Sequence, residues 1–114
     1  AYIYDDPDEI KLLFAERQNY KGVRVRPSQM LSCCPTDDQA EIMIYRNIPR
    51  EYIVGMAVNT EEEALFLAGN LRTLEISSPP PIYIVPEIFS GQYSALIRNG
   101  TRPIEKRYLG GTNL

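Results

Sequence analysis

Residues 39–58 read QAEIMIYRNIPREYIVGMAV, and this stretch decides the predicted fold. In EIMIYR the two isoleucines alternate with Glu41, Met43 and Tyr45, and this two-residue period is typical of a β-strand with two different faces. After the turn NIPRE, the run YIVGMAV is apolar throughout, as expected of a central strand that is buried on both faces. The stretch therefore predicts two strands joined by a short turn.

A helix is predicted on either side of these strands. The first extends from about Pro7 to Arg17, because Asp6 suits the N-cap and Pro7 the first helical position. The second follows Thr60, which forms a capping-box pattern with Glu63. The apolar residues of this second helix recur at helical spacing: Ala64, Leu67, Ala68, Leu71 and Leu74.

Three further strands are predicted, from AYIY at the N-terminus, from the alternating VRVR before Pro27, and from IYIV after the prolines of SSPPP. The segment SQMLSCCPTDDQ has no clear period and is predicted to be a loop. The resulting order, β-α-β-β-β-α-β, favours an α+β fold with a small mixed or antiparallel sheet flanked by two helices.

We assign residues 1–89 to one domain and residues 90–114 to an extended basic C-terminal arm. Between residues 98 and 107 the arm has four basic side chains against one acid, Glu105. These basic residues are candidates for binding nucleic acid or a protein partner, although an ordinary solvated terminus has the same composition. They are Arg98, Arg102, Lys106 and Arg107.

The composition excludes several function classes. The 114 residues have a formal net charge of −3, so no overall positive field favours nucleic acid. The absence of histidine removes the usual base of a catalytic triad and the commonest zinc ligand. The vicinal Cys33 and Cys34 are too few for a disulfide scaffold, and we expect incidental thiols and no metal site. No apolar run is long enough to cross a membrane, so we expect a cytoplasmic location and no membrane partner.

Glu41 is the candidate catalytic residue, since it heads a predicted strand and follows a polar loop. A carboxylate beside apolar and aromatic neighbours at a strand end is well placed for a cleft. A solvated acid at the end of a strand has the same pattern, and the spacing alone favours that interpretation.

The residues around Glu41 resemble a known family. The stretch QAEIMIYRNIPREYIVGMAV, the acidic helix after it and the closing PPPIYIVPEIF together resemble the C-terminal half of the DarT-type ADP-ribosyltransferases, over roughly residues 28–89. These enzymes split NAD and attach ADP-ribose to a base in single-stranded DNA. The resemblance implies an ADP-ribosyltransferase-like fold, NAD as co-substrate and single-stranded DNA as partner.

The resemblance also assigns roles. The glutamate of the family's "AE" pair is its catalytic acid/base, and here that pair is Ala40 and Glu41. The loop from about Pro27 to Gln39 takes the place of the family's substrate-recognition loop. Much of the family's NAD pocket lies in its N-terminal half, which the resemblance does not cover. We therefore expect the chain to be incomplete alone, as a fragment, as one half of a split enzyme whose protein partner supplies the rest, or as an inactive relative.

Two weaker expectations remain. Arg24 and Arg26 alternate with valines and could hold the phosphates of NAD, although a solvated strand edge explains them as well. The chain could also be a non-enzymatic assembly component that uses the sheet as a scaffold and the C-terminal arm to bind neighbours, because fold likeness alone does not establish function.

Overall fold

The computed structural model describes residues 5–19 and 22–110, with the backbone alone for residues 17–19 and 22–24. The predicted AYIY strand lies outside these residues. The helices and strands, in chain order, are a 3-10 helix Pro7–Phe14, β1 Arg17–Asn19, β2 Gly22–Arg24, a 3-10 helix Arg50–Tyr52, β3 Met56–Val58, α1 Glu61–Thr73, β4 Ile82–Ile84, a 3-10 helix Pro86–Phe89, α2 Tyr93–Arg98 and β5 Lys106–Arg107.

Two compact units make up the chain. Unit 1 contains residues 1–43 and 94–102, and unit 2 contains residues 44–93 and 103–114. Each unit therefore combines two stretches that are far apart in the sequence, whereas the sequence pattern predicts a boundary after residue 89. The predicted α+β class is confirmed, since helices and a mixed sheet are both present.

The N-terminal helix of unit 1 is confirmed as a helical segment but is shorter than predicted. The Asp6 side chain accepts a hydrogen bond from the Asp8 N–H at 3.0 Å, so Asp6 is the predicted N-cap. The helix ends at Phe14 rather than Arg17. Arg17 instead begins the antiparallel hairpin of β1 and β2, where it lies opposite Arg24. The pairing of two strands therefore prevails over helix propensity at this point.

The end of α2 requires glycine at position 100. The N–H of Thr101 donates to the Leu96 carbonyl at 2.9 Å and the N–H of Gly100 to the Ile97 carbonyl at 3.2 Å, which is the Schellman arrangement at a helix C-terminus. Gly100 has φ +81°, and a Cβ there would collide with the Gln29 carbonyl oxygen. The backbone of α2 and that of the loop after β2 therefore approach each other closely.

Unit 2 is built on a three-stranded mixed sheet in the order β3-β4-β5. β3 and β4 are parallel, and β4 and β5 are antiparallel. Helix α1 connects the parallel strands and packs on one face of the sheet, where the buried residues are Ala64, Ile82 and Ile84. The partly buried residues around them are Met56, Val58, Leu67, Ala68, Leu71 and Tyr108.

The predicted α1 is confirmed, together with its capping box. The Glu63 N–H donates to the Thr60 hydroxyl at 3.1 Å, and the Thr60 N–H donates to the Glu63 carboxylate at 3.4 Å. The predicted strand IYIV is confirmed as β4.

The prediction of two strands in residues 39–58 was largely wrong. Residues 41–46 form no strand and are exposed, Met43 at 88% and Tyr45 at 96%. Within the described residues no strand pairs with this segment, and an alternating pattern without a pairing partner does not form a strand. The buried central strand predicted for YIVGMAV is reduced to β3, which lies at the edge of the sheet while β4 is central.

The extended C-terminal arm is also corrected, as far as residue 110. Residues 93–98 form α2, and Lys106 and Arg107 form β5, which pairs with β4. The Glu87 carboxylate accepts the N–H of Ile104 at 3.3 Å. The basic side chains in this segment gave no indication of these elements. Strand pairing is formed by backbone N–H and C=O groups, and these are the same whatever the charge of the side chains. None of the helices in the described part of the chain has the length and apolar character that a membrane span requires.

We expect Gly100→Ala to destabilise the protein by more than about 2 kcal/mol, since alanine must adopt a left-handed conformation and its Cβ meets the Gln29 carbonyl. Gly69→Ala is the matched control. Gly69 lies in α1 with no atom within 4 Å of an added Cβ, so alanine should stabilise by up to about 1 kcal/mol. Urea unfolding of the two variants measures both effects, and equal unfolding midpoints would contradict this account of the α2 terminus.

Candidate active site: the loop before Glu41

The loop that precedes Glu41 is organised around Thr36, which has no exposed surface. The Thr36 hydroxyl accepts a hydrogen bond from Arg26 Nη1 at 3.2 Å, and its carbonyl accepts one from Arg98 Nη1 at 2.9 Å. Its N–H donates to the Leu13 carbonyl at 2.8 Å. A buried polar residue is costly unless its groups are bonded, and here both backbone groups and the hydroxyl are.

Arg26 also donates hydrogen bonds to backbone carbonyls of the loop. Its Nη1 donates to the Cys34 carbonyl at 2.9 Å and its Nη2 to the Leu31 carbonyl at 3.1 Å. The guanidinium carbon lies 5.7 Å from the centroid of the Phe14 ring, within range of a cation–π interaction. The planar, forked guanidinium can reach several oxygens at once, which an ammonium group cannot do with the same geometry.

Arg98 connects α2 to the same loop. Besides the Thr36 carbonyl, it donates through Nη2 to the Val25 carbonyl. The Leu31 N–H donates to the Ile97 carbonyl at 3.0 Å, which adds a backbone link between the loop and α2. Among the described residues of this unit, the buried hydrophobic side chains come from the loop and the helix together: Met30, Cys34 and Ile97.

A tight turn then leads from Thr36 to Glu41. The Asp37 carboxylate accepts the N–H of Gln39 at 2.9 Å, and the Asp37 carbonyl accepts the N–H of Ala40 at 3.0 Å. An aspartate that bonds the backbone two residues ahead is typical of such turns. Ala40 therefore closes a turn that follows buried Thr36, and Glu41 is the first residue after that turn.

Glu41 itself is exposed, and within the described residues it forms no hydrogen bond or ion pair. It does not head a strand, so its position is determined by the turn before it. A carboxylate that is not engaged in the fold can accept hydrogen bonds from a ligand hydroxyl and can stabilise a positive charge next to it.

The structure brings two of the other predicted site residues together. Arg26 and Arg98 meet at Thr36, where they hold the loop. The side chain of Arg24 lies outside the described part of the structure. Three basic residues of the predicted arm are exposed; Arg102 belongs to unit 1, and Lys106 and Arg107 lie on β5 of unit 2.

Thr36 is the residue that the sequence analysis missed. It lies in the polar run PTDD, where a threonine is expected on the surface. The sequence contains one indirect signal for the role of this loop. Arg26 and Arg98 have no acidic residue next to them, so their guanidinium groups need other acceptors, and the carbonyl groups of a loop can supply them.

Cys33 and Cys34 are not joined by a disulfide bond. Cys33 is exposed and Cys34 is buried, and their sulfur atoms lie 3.9 Å apart. Cys34 contributes to the apolar interior of unit 1 and bonds Arg26 through its carbonyl. Its contribution to the loop therefore comes from packing and from the backbone.

Most of the chain matches a known protein family. The family model described as "ssDNA thymidine ADP-ribosyltransferase, DarT" matches residues 1–90, which include the loop and Glu41. No curated protein and no solved structure shows significant similarity to the chain.

We expect Arg26→Lys to loosen the loop and to lower the free energy of unfolding by about 1.5–3 kcal/mol, because lysine cannot reproduce the forked contacts to Leu31, Cys34 and Thr36. Arg46→Lys is the control, because it makes the same substitution at an exposed position. It should change the free energy of unfolding by less than about 0.5 kcal/mol. Hydrogen exchange of the Met30 and Cys34 amides, measured beside urea unfolding, should accelerate in the first variant only. Unchanged exchange in Arg26→Lys would contradict the assigned role.

Proposed function

The chain belongs to the DarT family of single-stranded-DNA thymidine ADP-ribosyltransferases, and we propose that it transfers ADP-ribose from NAD to a thymine base with Glu41 as the catalytic carboxylate. The observation that carries this proposal is the place of Ala40–Glu41, at the end of a turn that follows the arginine-held loop. An ADP-ribosyltransferase-like fold is part of the same proposal.

The proposed reaction begins at the glycosidic bond of NAD. The bond between the ribose anomeric carbon and the nicotinamide nitrogen breaks, and nicotinamide leaves with the electron pair. The ribose then carries positive charge as an oxocarbenium ion. Glu41 stabilises this charge and accepts a hydrogen bond from a ribose hydroxyl, a contribution that grows as the charge develops in the transition state.

In the second half of the proposed reaction, the thymine base loses a proton and gains ADP-ribose. Thymidine has a single ring N–H, at N3, since N1 is bonded to the deoxyribose. Loss of that proton gives the nitrogen a lone pair that can attack the anomeric carbon. The Glu41 carboxylate takes the proton as general base, so one N–H bond is broken and one N–C bond is formed.

Of the two arginines predicted to contact the NAD phosphates, Arg24 is the better candidate. Arg26 uses three N–H groups on oxygens of its own loop, so phosphate contact there competes with the loop. Arg24, two residues earlier on β2, remains the candidate for phosphate contact in this proposal. A charge-assisted bond from guanidinium to the pyrophosphate would orient NAD without taking part in the chemistry.

Single-stranded DNA needs positive side chains along its path. Arg102, Lys106 and Arg107 are exposed and provide such charges, and we assign them to contacts with the DNA backbone. The non-enzymatic alternative relied on an arm free to bind neighbours, whereas residues 93–98 and 106–107 are part of the folded units.

We expect Glu41→Gln to reduce ADP-ribose transfer by about 100-fold or more, because glutamine keeps the size of the side chain but removes its charge and basicity. The measurement is mass spectrometry of a thymidine-containing oligonucleotide incubated with NAD. Glu51→Gln, at another exposed carboxylate, is the control and should keep full activity. An oligonucleotide in which 3-methylthymidine replaces thymidine should remain unmodified, since it has no N3 proton.

Calorimetric titration with NAD separates the possible failures. Equal transfer by Glu41→Gln and the unchanged chain would contradict the role of Glu41, and transfer to 3-methylthymidine would contradict the acceptor atom. NAD binding without transfer would contradict the chemistry assigned to this chain. Neither binding nor transfer would show that these residues alone do not form the NAD pocket.

A further inference from the structure

Strand β3 has one side that no other strand in the described part of the chain covers. The Met56 N–H donates to the Pro81 carbonyl at 2.9 Å, and the Val58 carbonyl accepts the Val85 N–H at 2.9 Å, so both residues direct their backbone groups toward β4. Backbone groups alternate in direction along a strand, and those of Ala57 therefore point away from the sheet. Ala57 is exposed.

This edge lacks two of the features that normally prevent strand pairing. Residues 52–60 contain no charged residue and no proline. Natural sheet edges are usually protected by lysine, proline, a bulge or a covering segment, because unpaired N–H and C=O groups form a template for another strand. The β3 edge has only the small Ala57 at its centre, which allows close approach of a second backbone.

The residues just before β3 are apolar and exposed. Tyr52 is 69% exposed, Ile53 43% and Val54 84%. Ile53 already has extended backbone angles, φ −88° and ψ 106°. A run of exposed large apolar side chains next to an open sheet edge is typical of an interaction surface.

We propose that this edge pairs with the same edge of a second copy of the chain, in antiparallel orientation about Ala57. In a hydrogen-bonded antiparallel pair, each residue donates its N–H to the carbonyl of the residue opposite. The Ala57 N–H of each copy would therefore donate to the Ala57 carbonyl of the other copy. A polypeptide strand offers such alternating donors and acceptors, whereas a nucleic acid or a lipid surface does not. Two-fold symmetry requires a self-complementary surface, and this edge has one.

The side chains agree with this register. Met56 of one copy lies opposite Val58 of the other, and both pack against the core beneath α1 within their own copy. The apolar layer would therefore continue across the junction, and three strands from each copy form a six-stranded sheet. No like charges face each other over residues 54–60, which would otherwise destabilise the pairing.

Sedimentation velocity over a concentration series tests the proposal with Ala57→Lys. We expect the unchanged chain to dimerise reversibly and Ala57→Lys to weaken the dimer by about tenfold or more, because two lysines would lie opposite each other across the axis. Ala95→Lys introduces the same charge at an exposed alanine of α2 and should leave the dimer intact. Circular dichroism melting confirms that each variant is folded.

Hydrogen exchange of the Ala57 amide gives a second test that does not depend on a substitution. In a concentrated sample this amide should be protected, and dilution below the dissociation constant should remove the protection. A chain that remains monomeric at high concentration, an Ala57→Lys variant that dimerises as well as Ala95→Lys, or an Ala57 amide that exchanges rapidly in a dimer would each overturn the proposal.

Discussion

The loop before Glu41 depends on one buried threonine that two arginines bind from different parts of the chain. Arg26 contacts the Thr36 hydroxyl from ten residues away, and Arg98 contacts the Thr36 carbonyl from 62 residues away. Because a buried hydroxyl and peptide group are costly without partners, the loop and the arginines stabilise each other. The turn at Asp37 and the place of Ala40–Glu41 follow from this arrangement.

Local signals in the sequence identified the elements that depend on local interactions. The capping box at Thr60, the N-cap at Asp6 and the apolar run of β4 each act within a few residues, and each is present in the structure. The alternation in residues 41–46 is as clear as that of any strand, yet the segment is irregular and exposed. A strand requires a pairing partner, and the sequence of the strand does not contain that information.

The candidate site was likewise only partly predictable from the sequence. Glu41 was selected through a resemblance, since spacing alone favoured a solvated acid, and the structure shows an exposed carboxylate after an anchored turn. The arginines illustrate the converse. Arg26 and Arg98 were considered for phosphate or nucleic acid, but their guanidinium groups hold carbonyls within the fold. Sequence patterns show that a residue is charged but not which acceptors it reaches.

Because unit 1 combines residues 1–43 with residues 94–102, its assembly depends on the order in which the chain is made. A nascent polypeptide that has reached residue 90 contains the loop, Glu41 and the whole family-matched region, but neither α2 nor Arg98. The contact of Arg98 with the loop can form only after residue 98 has been made, since it closes a chain segment of 62 residues, whereas the contact of Arg26 with Thr36 spans ten. A truncation at the end of the matched region would therefore keep the candidate catalytic residue and the Arg26 contacts but remove the helix that binds the Thr36 carbonyl.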